Sequence, residues 1–95
     1  MAGVTVYVRS WCPWCRRALE LLAAKGVRPE VIDIEREAER AGEMVRRAGG
    51  RTTVPQVFVG ERHVGGFDDL AALDARGELD PLLASVHPSG DRTSE

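Results

Sequence analysis

Cys12 and Cys15 are the only cysteines in this 95-residue chain, and they stand three positions apart as Cys12-Pro13-Trp14-Cys15. A disulfide between them closes a loop too small to restrain the unfolded chain much, so a stabilising role is weak and a reactive one is favoured. A thiol attacks a disulfide only as its thiolate. Pro13 stands where helices accept proline, and Cys15, Ala18, Leu19 and Leu22 follow at helical spacing, so the pair is expected to open a helix. Unpaired N–H groups and positive dipole potential at such a start stabilise an anionic sulfur at Cys12. Arg9, Arg16 and Arg17 add positive charge nearby. A more abundant thiolate is also a weaker nucleophile, so the larger benefit lies in the second half-reaction, where that sulfur is the better leaving group. Cys15 sits one turn deeper on the apolar stripe, where burial is expected to keep it protonated as the resolving thiol.

The same spacing occurs in half of a zinc site, and two core cysteines can be idle. A zinc site needs two further ligands, and the remaining candidates, His63 and His87, are far apart, the second near the C-terminus. No metal is expected. Pro13 and the helix start argue against idle thiols.

Positioning the pair falls to the flanking elements. Residues Val4 to Val8 form a continuous β-rich run that suits a buried central strand. The helix after it stops at Lys25 and Gly26. Val31 to Ile34 reads as a second strand, parallel to the first because a helix connects them. A charged helix is expected from Glu35 to about Ala48, with Ala38, Ala41, Met44, Val45 and Ala48 as its apolar stripe and Gly49-Gly50 as its end. Gln56 to Val59 and Arg62 to Val64 form an antiparallel hairpin through Gly60-Glu61. Gly65-Gly66 precede a helix from about Phe67 to Arg76, with Leu70 and Leu73 inward, and Pro81 starts one more short turn with Leu82 and Leu83. The expected architecture is α/β, a thioredoxin fold: a four-stranded mixed sheet, two parallel N-terminal strands plus a C-terminal hairpin, flanked by helices. Residues 1–84 make the one domain; residues 85–95 lack apolar periodicity and are expected to be a disordered tail.

Composition sets outer limits. With 43% hydrophobic and 29% charged residues the chain is an ordinary globular one. A net charge of -2 gives no general pull toward nucleic acid or an anionic membrane. No apolar run approaches the roughly 20 residues of a membrane-spanning helix, and Met1-Ala2-Gly3-Val4 leads directly into a strand without a basic leader, which reads as a cytoplasmic protein.

Three further segments accompany the cysteines: Tyr7-Val8-Arg9, the Thr52-Thr53-Val54-Pro55 turn, and the Gly65-Gly66-Phe67-Asp68-Asp69 turn. By themselves, free N–H groups and acidic side chains at a helix start suit a carboxylate and an ammonium, or simple N-capping by Asp68 or Asp69. Together, the four motifs resemble the glutaredoxins, over about residues 3 to 84, and most the small bacterial dithiol ones. The resemblance implies a cis peptide before Pro55, glutathione as the reducing co-substrate, and recycling by glutathione and its reductase. It implies glutathione contacts from Arg9, Trp14, Thr53, Val54, Pro55, Gly66, Phe67, Asp68 and Asp69, with Cys12 and Cys15 as catalytic residues forming the redox disulfide. Arg9 takes a place usually held by lysine, and Trp14 one usually held by tyrosine, which keeps a flat apolar wall but removes a hydroxyl. Arg51, and less so Arg46 or Arg47, are further candidates for the glycyl carboxylate. Gly50 is one residue more than the usual spacing, which weakens the match of the upstream arginines. Trp11 is expected only to shield the site.

The function implied is reduction of protein–glutathione mixed disulfides and protein disulfides by a monomer. The alternative is a glutathione-ligated [2Fe-2S] dimer, disfavoured within that family by proline at position 13. A third reading, reduction by a flavin reductase instead of glutathione, is opposed by Arg9 and the Gly65 to Asp69 turn.

Overall fold

A computed structural model describes residues 3–86. Eight elements follow in order: β1 (Val4–Val8), α1 (Pro13–Ala24), β2 (Glu30–Asp33), α2 (Glu39–Arg47), β3 (Gln56–Val59), β4 (Arg62–Gly65), α3 (Phe67–Ala75) and α4 (Leu79–Val86). The strands form one sheet in the order β2-β1-β3-β4. β1 runs parallel to β2 and antiparallel to β3, and β4 returns antiparallel to β3. This is the mixed sheet expected from the element order.

Strand side chains alternate between two faces, so even a continuous apolar run divides between two cores. Val4, Val6 and Val8 of β1 and Val57 and Val59 of β3 join Cys15, Ala18, Leu22, Leu70 and Leu73 on one side. Tyr7 and Phe58 point the other way, against Ile32, Ile34, Met44 and Ala48. β1 and β3 are thus covered on both faces, and the β1–α1 junction that carries the cysteines rests on the most buried part of the sheet.

Several boundaries differ from the sequence-based expectation, β4 for one running to Gly65 rather than Val64. The second strand begins at Glu30 rather than Val31 and ends at Asp33, with Val31 on the open face of an edge strand, 48% exposed. The helix expected from Glu35 starts at Glu39. Asp33 accounts for the delay: its Oδ1 accepts from the N–H of Glu35 at 2.9 Å and of Arg36 at 3.4 Å, and its carbonyl from Glu37, so the chain takes an Asx-type turn first. Ala38 is consequently exposed, while Met44 and Ala48 are buried as expected.

The short turn expected at Pro81 is an eight-residue helix. Leu79 and Leu83, one turn apart, are buried against the α1–α3 side of the sheet, and Pro81 falls in the first turn, where its missing N–H costs no hydrogen bond. Ser85 and Val86, expected to begin the tail, close this helix. The rest of the expected tail lies outside the described residues. Among the described residues no helix is long and apolar enough to cross a membrane.

Candidate active site

Cys12 is the N-cap of α1, with extended backbone (φ -118°, ψ 104°) and Pro13 as the first helical residue. Its Sγ takes the place a serine or aspartate oxygen usually holds, accepting the Cys15 N–H at 3.2 Å. Sγ also lies 3.8 Å from the Val54 carbonyl, to which the thiol donates. The helix thus presents a backbone N–H to the sulfur, as the position of Pro13 led one to expect.

Cys15 is 3% exposed and belongs to the apolar core beneath α1. Burial pushes its thiol up to about 12, and the neighbouring Cys12 sulfur adds to the rise. The two thiols, three residues apart, therefore differ sharply: Cys12 borders solvent at a helix start, and Cys15 is held neutral inside.

The Val54–Pro55 peptide bond is cis. Trp14, Thr53, Val54, Pro55, Gly66, Phe67, Asp68 and Asp69 all line one groove of about 370 Å³, together with Arg51. One side is the Trp14 ring, which lies 5.9 Å from the Phe67 ring and under the Arg17 guanidinium at 4.9 Å. The opposite end is the start of α3. There Asp69 Oδ2 accepts the Gly66 N–H at 2.9 Å and meets Arg51 Nη1 at 3.2 Å. That N–H, and then Arg51, hold the Asp69 carboxyl below the usual carboxylate range. Both aspartates are exposed, and Asp69 is the one whose side chain caps the helix.

Arg9 stands apart from this set. It lines a second groove of about 630 Å³, which Cys12 also lines, together with Trp11, Arg16 and Arg17. The expectation that Trp11 shields the site is not met: its side chain is 96% exposed and covers nothing, because a backbone φ of 60° turns it away from the fold. Tyr7 lies on the opposite face of the sheet from Cys15, with its hydroxyl donating to Glu43 and accepting from Arg47 at 2.9 Å, so it belongs to the α2 side. Arg47, spread 4.2 Å over the Phe58 ring, is committed there too, and Arg46 is a solvated residue of α2. The additional Gly50 is accommodated by left-handed backbone at Gly49 (φ 67°) and Gly50 (φ 100°), and Arg51 reaches the groove regardless.

One supporting residue had no recognisable sequence signal. Gln56, at 0% exposure, is the only buried polar residue among those described. Its Nε2 donates to the Thr53 carbonyl at 2.9 Å and approaches Thr53 Oγ1 at 3.2 Å, while its Oε1 pairs with His63 Nε2 at 2.6 Å. His63, considered in the sequence only as a metal ligand, thus buttresses the turn that faces Cys12.

The chain matches the glutaredoxin family model over residues 4–64, a span that holds both cysteines and the cis-proline turn. Glutaredoxin 3 of Escherichia coli (strain K12) is 53% identical over 83 residues, spanning 87% of this chain and 99% of that protein. The chain belongs to the glutaredoxin family. A glutaredoxin of Pseudomonas aeruginosa is 48% identical over 85 residues, or 90% of this chain and 100% of its own. The solution structure of a Brucella melitensis glutaredoxin superposes with a TM-score of 0.74 at 49% identity, covering 87% of this chain and 89% of that one. A crystal structure of a buckwheat glutaredoxin–glutathione complex has a TM-score of 0.82 at 27% identity, covering 90% and 79%. Glutaredoxin membership makes this chain a thiol–disulfide oxidoreductase of the thioredoxin-like fold, with the Cys12–Cys15 pair as its redox-active centre.

Proposed function

We propose that this glutaredoxin uses glutathione as its reducing co-substrate and removes glutathione from protein–glutathione mixed disulfides through Cys12, with Cys15 completing the reduction of protein disulfides. The observation that carries this reading is the position of Cys12 Sγ, bonded to the Cys15 N–H at the start of α1 and 3.8 Å from the Val54 carbonyl that borders the groove. Glutathione is a tripeptide, and the groove offers partners for each of its parts. The Thr53–Val54 backbone suits its extended main chain, as an added strand would be held. The N-terminus of α3 at Gly66 suits the γ-glutamyl carboxylate, and exposed Asp68 its ammonium. Arg51, beside Asp69 and Gly66, adds positive charge at the γ-glutamyl end, and Arg9, on the groove that Cys12 lines, offers a guanidinium for the glycyl carboxylate.

In the first step the Cys12 thiolate attacks the glutathione sulfur of the mixed disulfide; the new S–S bond joins Cys12 to glutathione, and the protein thiolate leaves and takes up a proton. A second glutathione thiolate then attacks the glutathione sulfur held on Cys12, releasing oxidised glutathione and restoring the Cys12 thiolate. For a protein disulfide, Cys12 attacks one substrate sulfur and expels the other. Cys15 then loses its proton, attacks Cys12 Sγ and releases the substrate as a dithiol, leaving a Cys12–Cys15 disulfide for glutathione to reduce. The high affinity of buried Cys15 for its proton keeps it from competing in the first step. We place this chemistry in the cytoplasm, in a monomer.

The experiment is turnover of a small glutathione mixed disulfide by Cys15→Ser and Cys12→Ser variants. Cys15→Ser keeps the reaction and Cys12→Ser loses it, with a single glutathione adduct on Cys12 by mass analysis after exposure to oxidised glutathione. A Cys15→Ser variant without activity, or an adduct elsewhere, refutes the proposal.

A further inference from the structure

The proposed function fills the Thr53–Asp69 groove, whose Val54 carbonyl lies 3.8 Å from Cys12 Sγ, and touches the groove that Cys12 itself lines only through Arg9. That second groove, about 630 Å³, lies at the α1 start and is edged by Trp11, Arg9, Arg16 and Arg17, with Glu20 as its single carboxylate. We infer that this groove docks an extended, acidic polypeptide segment flanking the cysteine of a protein substrate. The inference rests on the reading of Cys12 as nucleophile with glutathione in the Thr53–Asp69 groove. A substrate cysteine that reaches Cys12 brings flanking residues with it. With the glutathione groove filled, the free surface adjoining Cys12 is the Trp11 side.

Charge indicates the chemistry of the occupant. Lys25, Arg40, Arg51 and Arg76 each have a carboxylate within salt-bridge distance. Among the described residues Arg9, Arg16 and Arg17 have none, nor do Arg28, Arg36, Arg46, Arg47 and Arg62, but only the first three gather on one groove, in a chain whose net charge is -2. Three uncompensated guanidiniums around one groove, in a chain otherwise slightly acidic, complement an acidic partner and steer its approach.

Trp11 points the same way. A bulky residue at φ 60° is strained. Its ring is 96% exposed, so burial within the fold gives nothing back. A large aromatic held in solvent beside a nucleophile, with arginines around it, has the composition of an interface hot spot.

The test uses two peptides that differ only in Asp/Glu or Lys residues flanking one cysteine, each cysteine carried as its mixed disulfide with thionitrobenzoate. In a single turnover of the reduced protein, the Cys12 thiolate attacks the peptide sulfur, the S–S bond breaks, and thionitrobenzoate leaves as its coloured thiolate with the bonding electrons. No glutathione is present, so the outcome is independent of the glutathione reading; that reading is judged separately, by turnover of the mixed disulfide of glutathione with 2-mercaptoethanol. The second-order rate constant at low ionic strength is expected to be about tenfold higher for the acidic peptide than for the basic one, and the preference to collapse in 0.5 M salt as charges are screened. Arg16→Glu is expected to cut the acidic-to-basic ratio at least about threefold, a ratio in which any change in Cys12 reactivity cancels. Trp11→Asn, which fits the left-handed backbone, slows both peptides relative to the thionitrobenzoate disulfide of 2-mercaptoethanol and keeps the ratio. A wild-type ratio near one, or a ratio unmoved by Arg16→Glu, overturns the inference.

Discussion

The Gln56 side chain ties Thr53 to His63: its Nε2 is 2.9 Å from the Thr53 carbonyl and its Oε1 is 2.6 Å from His63 Nε2. The link crosses from β3 to β4 and braces the turn whose Val54 carbonyl faces the Cys12 sulfur. Gln56→Leu fills the same space without these bonds and leaves His63 unpartnered. It is expected to cost about 1–3 kcal/mol in stability. Turnover of glutathione mixed disulfides should fall by a rise in KM more than by a loss of kcat, because the turn holds substrate and Cys12 is untouched. Denaturant melts and steady-state kinetics of the two proteins check both effects.

Cys15 gives stability an alkaline edge. Its folded value, about 12, lies above the ordinary thiol range, so the folded state keeps a proton that the unfolded state gives up. That contribution is complete below about pH 8.5 and is lost as pH rises toward the folded value, with a slope of at most about 1.4 kcal/mol per pH unit. The reduced wild type should therefore lose stability relative to Cys15→Ala between about pH 9 and 11. Parallel denaturation curves across that range read the difference. Over the same range a thiol reagent should label Cys12 first.

Asp69 works in the opposite direction. The Gly66 N–H and Arg51 hold its carboxyl down, so its contribution is present above the unfolded carboxylate range and fades as pH falls through the lowered value. Asp69→Asn should be less stable than wild type at neutral pH and converge with it in acid. The effect is small, because Asp69 and Arg51 are both about half exposed and screened by water. Thermal melts at a series of pH values between neutrality and the acid limb test the convergence.

Trp11 is a site where stability and function diverge. Its ring is solvent-exposed and its backbone left-handed, so Trp11→Asn removes strain without removing core contacts. The variant should be more stable by about 0.5–1 kcal/mol. Chemical denaturation decides it; a destabilised variant would reveal a packing role for the indole.

Much of the fold was legible because its signals are local. The Val4–Val8 run, the apolar spacing after Pro13 and the Gly60-Glu61 connection each specify an element within one short window, and the resulting order admits few topologies. The delayed start of α2 was not legible as such, since Asp33 offers its side chain to a turn in competition with a helix of ordinary propensity. Nor was α4: a short segment with an internal proline becomes a helix here because Leu79 and Leu83 find a core to bury in, and that core is assembled from α1, α3 and the sheet.

The sequence by itself determined the chemistry. Two thiols three residues apart, opened by a proline at a helix start, define which sulfur faces the donors of the helix end and which lies on its apolar side. Only the tertiary structure decided what surrounds them. Arg9 lines the same groove as Cys12, whereas Arg51 and Asp69 line the one that holds the cis-proline turn. Gln56 and His63 became supports of the Thr53 turn. The physical reason is that a helix start is written in adjacent residues, whereas a groove exists only where β1, β3 and α3 bring distant turns to one end of the sheet.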